Sequence, residues 1–341
     1  MNMKKSLKIT IAVLTSAIVS YGVIAFLPRQ KSYIPENALM KDGNLPVLVA
    51  HGGGNMEFPN DTLEAFYNAY SVDNRMMIET DVSITKDGVL ILSHDTTLDR
   101  NTNVTGEICD WNYTDLLEQR VDFSYENPID EDFCLDGERV RYKDENGNIK
   151  YPTEVSYPDG IKPRDDEIFL ATTLEDLFIS FPKTRINVEI KQEGEVGITA
   201  LKEAIRLTEK YNAFDRVCFA SFHEEIYAEY QRLQNSGEVP AEFMCSPATN
   251  TTTLFFFMQL LGLDALFPDK IAVFQLPTEK LGFSLSTKSF IENAHNHNIA
   301  VQYWTINDEA EMRRLIEIGA DGITTDRPHA LKKVMDEYRN N

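Results

Sequence analysis

The sequence predicts an α/β protein that folds as a (β/α)8 barrel, the TIM-barrel architecture, and three observations support this fold class. Eight short apolar runs recur along the chain, and a segment with helical periodicity follows each of them. The runs are apolar at almost every position, as expected for parallel strands that are covered on both faces. Although 341 residues would also accommodate two small domains, eight strand–helix units favour one barrel with added segments.

The predicted strands and helices alternate along the chain. The strands are expected at residues 47–50, 76–82, 185–190, 216–221, 242–245, 271–275, 299–304 and 322–325. The helices are expected at residues 61–70, 173–181, 196–211, 224–233, 252–263, 287–297, 309–318 and 329–338. The first helix opens with Asp61 and Glu64, whose spacing is typical of a capping box, so we expect Asp61 to cap it.

A ninth strand is predicted at residues 89–93, shortly after the second barrel strand. Asp87-Gly88 joins the two strands, and this pair is typical of a tight hairpin turn. The extra strand would hold His94 over the carboxyl end of the barrel.

The same connection continues into a long insertion of about residues 106–170. Its acidic residues cluster between positions 126 and 138, which is typical of solvated surface. Residues 140–142 and 149–151 flank Asn146-Gly147 and resemble the strands of a second hairpin. We interpret the insertion as a subdomain on the face that carries the carboxyl ends of the strands.

The N-terminal segment, residues 1–31, is predicted to be a signal anchor that crosses a membrane once. Residues 9–27 carry no charge, which is close to the roughly 20 residues that span a bilayer and exceeds the roughly 7–15 of a signal-peptide core. A cleaved signal peptide is the alternative, and both interpretations export the rest of the chain. Basic residues on both sides balance, so charge does not fix the orientation. We expect a cell-membrane protein with an extracytoplasmic barrel domain, residues 32–341, reached through a linker of about residues 28–44.

The overall charge argues against nucleic acid as the main partner. The chain carries 54 acidic and 33 basic residues, a formal net charge of -21 at pH 7, and would repel a phosphate backbone. The same composition fits an acidic site that takes a divalent metal.

The four cysteines lack the spacing of a zinc site. Cys218 and Cys245 lie in apolar, strand-like runs, where a buried thiol is the ordinary interpretation. Cys109 and Cys134 flank an acidic stretch, and in an exported domain they are candidates for a disulfide. Whether they pair stays open.

Acidic side chains lie at the carboxyl ends of the second and third barrel strands, where barrels of this type carry their sites. Glu79 and Asp81 face the same side of their strand because strand side chains alternate. Glu189, with Lys191 two residues later, ends the third strand in NVEIK. Three carboxylates without a cysteine ligand favour a hard, oxygen-preferring cation, either Mg²⁺ or Ca²⁺.

Two histidines flank these carboxylates: His51 ends the first strand, and His94 follows the ninth. In-line displacement at phosphorus needs one group to take the nucleophile's proton and another to protonate the leaving alkoxide, and histidine titrates close enough to neutral pH for either role. The cation and Lys191 would neutralise charge on the phosphate oxygens. Trp304 ends the seventh strand, where it would either line the substrate pocket or pack in the core.

Five sequence blocks together resemble the glycerophosphodiester phosphodiesterase family. They are AHGG, ETDVSITKDGVLILSHDTTLDRNT, NVEIK, QYWTIND and GADGITTDRP, in the order and spacing of the family, and the likeness covers about residues 47–338. The resemblance implies release of glycerol 3-phosphate, either directly or through a cyclic intermediate. It also implies an acid/base pair, three metal ligands and a phosphate contact, namely His51 and His94, Glu79, Asp81 and Glu189, and Lys191.

Two positions depart from the family pattern. Most members have arginine directly after the first histidine, where it contacts phosphate, whereas this chain has Gly52. Most members also have Pro-Glu-Asn-Thr at the first helix, where this chain has Pro59-Asn60-Asp61-Thr62. The missing arginine would weaken the enzyme, require another cation, or select a different head group.

Residues 251–267, TTTLFFFMQLLGLDALF, are almost wholly apolar and show no polar face. Phe255, Phe256 and Phe257 in succession cannot all point inward from one helix. With the predicted anchor, this segment suggests a lip that touches a bilayer or receives an acyl chain. It looks like the membrane-anchored members of the family with lysophospholipase D activity.

Three functions stay open on these grounds. The first is metal-dependent hydrolysis of glycerophosphodiesters such as glycerophosphocholine to glycerol 3-phosphate and an alcohol. The second is lysophospholipase D activity, in which the same groups release the head group from lysophospholipids at a membrane. The third is a catalytically weakened binding or sensory barrel, which only Gly52 favours.

Overall fold

A computed structural model of the chain describes residues 15, 21–24, 27–33, 35–41, 43–126, 140–155 and 166–339. Its strands are β1 Val47–His51, β2 Met77–Ile84, β3 Leu90–Leu92, β4 Tyr125–Glu126, β5 Val140–Arg141, β6 Arg185–Ile190, β7 Val217–Ala220, β8 Met244–Cys245, β9 Val273–Leu276, β10 Glu279–Lys280, β11 Phe283–Ser284, β12 Ala300–Tyr303 and β13 Gly322–Thr325. Its α-helices are α1 Leu63–Val72, α2 Tyr113–Glu118, α3 Leu174–Ser180, α4 Gly194–Lys210, α5 Glu224–Ser236, α6 Thr249–Leu260, α7 Lys288–Asn296, α8 Glu309–Ile318 and α9 Pro328–Arg339.

Eight of the strands run parallel and form a nearly closed barrel, in the hydrogen-bonded order β8-β7-β6-β2-β1-β13-β12-β9. At the seam, the backbone N–H of Ala272, directly before β9, donates to the carbonyl of Cys245 in β8 at 3.1 Å. Strands β2, β7, β12 and β13 are buried at every residue, as the continuous apolar runs predict. All eight predicted barrel strands, and with them the TIM-barrel class, are confirmed.

The register between strands positions the candidate site. Strand β1 pairs with β2 so that His51 lies opposite Glu79. Strand β2 pairs with β6 so that Asp81 lies opposite Glu189. Because parallel strands end at the same rim of a barrel, these four side chains belong to one mouth.

Helix α1 begins later than predicted, and its cap is Thr62 rather than Asp61. The Thr62 hydroxyl accepts a hydrogen bond from the backbone N–H of Ala65 at 3.2 Å. Asp61 has φ 57°, and its buried carboxylate accepts instead from the hydroxyl of Thr80 at 2.8 Å. The prediction was wrong because two suitable cap residues are adjacent, and the one with the extended backbone of a cap is Thr62.

The predicted ninth strand is confirmed. Strand β3 pairs antiparallel with β2, with Leu92 opposite Val82, and the chain between them turns at Gly88 with φ 83°. The backbone N–H of Ser93 donates to the carbonyl of Asp81 at 3.0 Å, so the loop that carries His94 starts beside the carboxyl end of β2.

The second predicted hairpin is only partly present. Strand β5 pairs with β4, and residues 149–151 contribute an isolated bridge between Ile149 and Lys143 rather than a strand. The buried Tyr142 explains this pairing, because its hydroxyl donates to the carbonyl of Asn55 and holds the end of β5 against the barrel loops.

Two expectations for the insertion fall on the undescribed part of the chain. Most of its acidic cluster lies within residues 127–139, which are outside the described residues. Cys134 belongs to the same stretch, so its pairing with Cys109 also lies outside the described structure.

The predicted linker is part of the barrel. Tyr33 and Leu39 are buried at the end of the barrel where the strands begin, which we call its base. There they pack with Val49, Met77 and other strand residues. The Asn37 side chain donates to the carbonyls of Ala272 and Asn298 at 2.7 and 2.8 Å. The linker prediction was wrong because an aromatic and a leucine spaced among polar residues show no periodicity, although they close the base of the barrel.

A hairpin that the sequence analysis missed follows β9. Strands β10 and β11 pair antiparallel with Glu279 opposite Ser284. The turn between them has positive φ at Leu281 and Gly282, and Leu281 is 91% exposed. Strands of two residues are too short to produce an alternating pattern, which explains why the sequence analysis overlooked them.

Across the described residues, no helix combines the length and the apolar composition that a membrane span requires. The predicted anchor, residues 1–31, falls mostly outside the described part of the chain and stays a prediction.

Candidate active site

Three carboxylates form a compact cluster at the mouth of the barrel. One oxygen from each of Glu79, Asp81 and Glu189 lies within 4.8 Å of the others. The ammonium group of Lys191 is 2.9 Å from Glu189 Oε1 and 3.4 Å from Asp81 Oδ1. The strand ends therefore bring together all four residues that the sequence analysis expected here.

The electrostatics of this cluster call for a cation. Burial raises the pKa of Glu79 well above its ordinary value, and the charge of Asp81 raises it further. Burial and Asp81 also raise the pKa of Glu189, although Lys191 opposes the shift. One ammonium group does not offset three carboxylates, two of them buried and one partly buried, and oxygen donors at this spacing suit a hard divalent cation. The residues present thus fit a divalent metal.

His51 is held by hydrogen bonds that run through Asp326 to Asn307, two residues that the sequence analysis did not single out. Its Nδ1 is 2.6 Å from Asp326 Oδ1, and since a carboxylate only accepts, Nδ1 carries the proton. The Asn307 amide donates to Asp326 Oδ2 at 2.7 Å and fixes that carboxylate. The other ring nitrogen, Nε2, lies 3.9 Å from Glu79 Oε2. Asp326 directly follows β13 in GADGITTDRP, and its place next to a barrel strand end is the signal that would have identified it.

The charges around His51 set its protonation. Burial lowers its pKa, but the hydrogen bond to Asp326 and the charges of Glu79, Asp326 and Asp81 outweigh burial and raise the pKa to about 10. This raised pKa belongs to the site without a cation, and a cation bound by Glu79 and Asp81 would offset two of the charges that raise it.

His94 occupies a more open position at the same mouth. Its Nδ1 is 2.8 Å from Asp95 Oδ1, and Arg100 Nε donates to the other oxygen of Asp95 at 2.7 Å. Hydrogen bonds from both neighbours outweigh burial and hold the pKa of Asp95 below its ordinary range. The His94 side chain is 45% exposed, against 28% for His51, so the two histidines differ in access to solvent.

The two positions that depart from the family pattern, Gly52 and Asn60, lie next to each other in the structure. Gly52 has φ 51°, and a Cβ built there would lie 1.6 Å from the side-chain oxygen of Asn60. That oxygen is buried without a hydrogen-bond partner, while the Asn60 amide nitrogen donates to Asp61 at 2.9 Å. The Asn60 side chain thus fills the space in which a side chain at position 52 would begin, and any substitution at Gly52 must displace it.

A fourth carboxylate, that of the buried Asp61, lies beside the cluster. Burial raises its pKa to about 7, with the charge of Asp81 acting in the same direction and the hydrogen bond from Thr80 acting against it. The sequence analysis assigned Asp61 to a helix cap and so missed its place near the site.

A cavity of about 570 Å³ opens onto these groups and has two unlike walls. Both histidines, the three clustered carboxylates and Lys191 form the polar wall. The apolar wall is formed by helix α6, the β10–β11 hairpin and the ends of neighbouring strands, and its main side chains are Phe222, Phe256, Phe257, Leu276, Leu281, Phe283, Leu285 and Trp304. Trp304 lines this cavity rather than packing in the core. Its ring contacts that of Phe222 edge to face, at 5.8 Å between centroids.

The barrel and the groups at its mouth define an enzyme of the phosphoric diester hydrolase class. The family model described as the glycerophosphoryl diester phosphodiesterase family matches residues 51–330, and the chain belongs to this family.

The chain is also similar to individual proteins in sequence and in structure. Lysophospholipase D GDPD1 of Mus musculus is 24% identical over 85% of this chain and 86% of its own length. A probable glycerophosphodiester phosphodiesterase 2 of Mycobacterium tuberculosis is 24% identical over 87% of this chain and 97% of its own length. A solved Oleispira antarctica phosphodiesterase, in complex with the product sn-glycerol-3-phosphate, has a TM-score of 0.58 and 16% identity, over 86% of this chain and 97% of that one.

Proposed function

We propose that the protein hydrolyses glycerophosphodiesters such as glycerophosphocholine to glycerol 3-phosphate and an alcohol, in a reaction that depends on a divalent cation. The observation that carries this proposal is the convergence of three carboxylates and two histidines on one cavity. Membership of the family and the product named for the Oleispira structure support the same reaction class.

Glu79, Asp81 and Glu189 would hold the cation. When bound, Mg²⁺ or Ca²⁺ supplies positive charge that balances the carboxylates and the phosphate oxygens. Lys191 adds a fixed positive charge from the chain itself, because its ammonium group lies between Asp81 and Glu189 at the same mouth.

The two histidines are suited to different proton transfers. His51 has Nδ1–H fixed on Asp326, so its Nε2 faces the cavity and in the neutral ring takes the proton of the attacking hydroxyl. His94 is the more exposed ring and lies where a leaving alcohol reaches solvent, so it donates the proton to the leaving alkoxide. The attacking hydroxyl belongs either to water or to the glycerol next to the phosphate.

The test is release of glycerol 3-phosphate from glycerophosphocholine by the full chain, with Mg²⁺ and Ca²⁺ added in turn after chelation. Glu79→Ala is expected to abolish metal-dependent release. Glu193→Ala is the matched control, because Glu193 is an exposed acid near the mouth outside the cluster. Equal turnover in the two variants would overturn the proposal.

A second candidate is lysophospholipase D activity, and the apolar wall of the cavity favours it. One or two aromatic rings could contact the quaternary ammonium of choline, but the leucine side chains along the same wall suit an acyl chain instead. The mouse and human relatives named lysophospholipase D GDPD1 are consistent with this candidate. The predicted N-terminal anchor would keep the enzyme at the membrane that contains such lipids.

The two candidates are separated by offering glycerophosphocholine and lysophosphatidylcholine side by side to the same preparation. Faster release of choline from lysophosphatidylcholine supports the second candidate, and exclusive use of glycerophosphocholine rules it out.

The third alternative, a weakened binding or sensory barrel, has no support beyond Gly52. The complete set of carboxylates and histidines faces the cavity, and Asn60 explains why residue 52 has no side chain.

A further inference from the structure

Helix α6 differs from an ordinary barrel helix on its outer face. Five residues at helical spacing are exposed on this face, namely Thr253, Leu254, Phe257, Leu260 and Leu261. At 100° per residue they fall within one stripe of about 120°. The four large apolar side chains in the stripe are between 45% and 58% exposed. We call these four residues the α6 stripe.

The α6 stripe is unusual because no charge interrupts it. The sequence has no Asp, Glu, Lys or Arg from residue 243 to residue 263, although 26% of the chain is charged. The exposed sides of other barrel helices hold ion pairs, such as Arg206 with Glu203 on α4 and Arg313 with Glu309 on α8. An exposed apolar stripe of this length marks a surface that contacts another apolar phase.

The α6 stripe reaches the cavity at Phe257. Phe257 belongs both to the stripe and to the cavity lining. Its ring centroid is 6.3 Å from that of Phe283 on the β10–β11 hairpin, and Phe283 is half exposed. Leu281, at the tip of the same hairpin, is 91% exposed. The apolar surface outside the barrel and the apolar wall inside the cavity are thus continuous across this rim.

The carboxyl-terminal end of the α6 stripe contacts Tyr21 of the N-terminal apolar segment. The Tyr21 hydroxyl donates to the carbonyl of Leu261 at 2.8 Å. Tyr21 and Val23 are themselves 51% and 58% exposed, and residues 9–27 carry no charge in the sequence. Tyr21, which belongs to this uncharged stretch of sequence, therefore contacts the stripe at Leu261.

We infer that the α6 stripe and the β10–β11 hairpin dock on a lipid bilayer, so that the barrel lies on its side and lipid enters the cavity across the rim that Phe257 and Phe283 form. A bilayer is the occupant because the stripe joins, without a charged break, a segment with about the length and composition of a membrane span. A second copy of the chain would cover the stripe but would not explain its continuity with both the cavity and the N-terminal segment. Lateral entry rests on the proposed lipid substrate, whereas docking itself needs no catalysis.

Docking is tested by fluorescence with the full chain in phosphatidylcholine vesicles, with and without bromine on the acyl chains. Leu260→Trp places a reporter on the stripe at a residue that does not line the cavity. Ile179→Trp is the matched control on α3, where a single exposed isoleucine is replaced. Bromine quenches indole only at short range, so a docked stripe should lose about half of the added Leu260→Trp emission.

The expected result is quenching of the Leu260→Trp reporter and no added quenching of the Ile179→Trp reporter. Equal quenching of both reporters, or of neither, would overturn the docking proposal. A dimer in the absence of lipid together with an unquenched Leu260→Trp would assign the stripe to a second copy instead.

Lateral entry is tested by the triple variant Leu254→Ser, Leu260→Ser and Leu261→Ser, with Ile179→Ser as control. We expect hydrolysis of vesicle-bound lysophosphatidylcholine to fall about fivefold in the triple variant, with hydrolysis of soluble glycerophosphocholine unchanged. An equal rate on vesicles in the triple variant and the control contradicts lateral entry. Loss of both activities in every protein would instead count against the proposed function, while the fluorescence result would still decide docking.

Discussion

The two walls of the cavity differ in how they are built and in what they can do. The polar wall stands on barrel strands whose register fixes Glu79, Asp81 and Glu189 against one another. The apolar wall includes side chains at strand ends, such as Leu276 and Trp304, but most of its exposed part stands on helix α6 and the β10–β11 hairpin, which are attached outside the strands. If the proposed function holds, the contrast teaches that the reaction chemistry is placed on the strands, whereas substrate preference is placed largely on elements that can vary without disturbing them. Substitutions in the two walls should therefore have separable effects.

The largest effect is expected from His51→Ala. Loss of the proposed general base should lower kcat for glycerophosphocholine by about 10³-fold, within the usual range for such groups. Circular dichroism and thermal unfolding should match the parent protein, because His51 is at the rim and part-exposed. A kcat within a few-fold of the parent would remove His51 from the proposed mechanism.

The next effect in size is expected from Asp326→Asn. Without this carboxylate, His51 loses the partner that fixes its tautomer, so kcat should fall about 100-fold with KM nearly unchanged. The hydrogen bond and the charge of Asp326 both raise the pKa of His51, so the pKa should fall when they are removed. Because the base acts above its pKa, the acidic limb of the pH–rate profile should move to lower pH. An unshifted limb, or the same kcat as in the surface control Asp336→Asn, contradicts this positioning role.

A smaller and selective effect is expected on the apolar wall. Phe257→Ser should lower kcat/KM for lysophosphatidylcholine about tenfold, since a buried aromatic contact with an acyl chain is lost, and leave glycerophosphocholine unaffected. Phe257 is the suitable position because it is 48% exposed, whereas the neighbouring Phe255 is fully buried in the core. An equal loss on both substrates would show that the two walls are not separable.

The smallest effect is expected on stability, at Asp61. Its pKa is raised to about 7 in the folded protein from an ordinary value of 3.8, so its contribution to stability is present below about pH 4 and is lost as pH rises through 7. Asp61→Asn should therefore stabilise the metal-free protein at pH 8 by on the order of 2 kcal/mol and have little effect at pH 4.

Urea unfolding in the presence of a chelator at both pH values measures this change. Glu79 and Glu189 also have raised pKa values, so the variant should reduce the pH dependence without abolishing it. An identical pH dependence in the parent and in Asp61→Asn would contradict the assignment.

Sequence reasoning reached the polar wall because its signals are local and repeated. Buried parallel strands produce continuous apolar runs, and a charged residue at the end of such a run is conspicuous, as Glu189 is in NVEIK. Asp326 directly follows a strand, but its contact with His51 is made across the barrel mouth, and no local pattern encodes that contact.

The apolar wall and the barrel base were less accessible from sequence for physical reasons. The β10–β11 hairpin has strands of two residues, too short for any period. Leu39 closes the barrel base through tertiary packing alone. At the first helix, Asp61 and Thr62 are equally good cap residues in isolation, and the backbone conformation decides between them.

The central claim is that Glu79, Asp81 and Glu189 form the site of the divalent cation on which hydrolysis depends. Calorimetric titration of chelator-treated protein with Mg²⁺ and then Ca²⁺ tests it most directly. The only other cluster of the same kind among the described residues, Glu193, His223 and Glu225, supplies the control variant Glu193→Gln. We predict one binding isotherm that is lost in Glu79→Gln and retained in Glu193→Gln. An isotherm that persists in Glu79→Gln, or that disappears in Glu193→Gln, would contradict the claim.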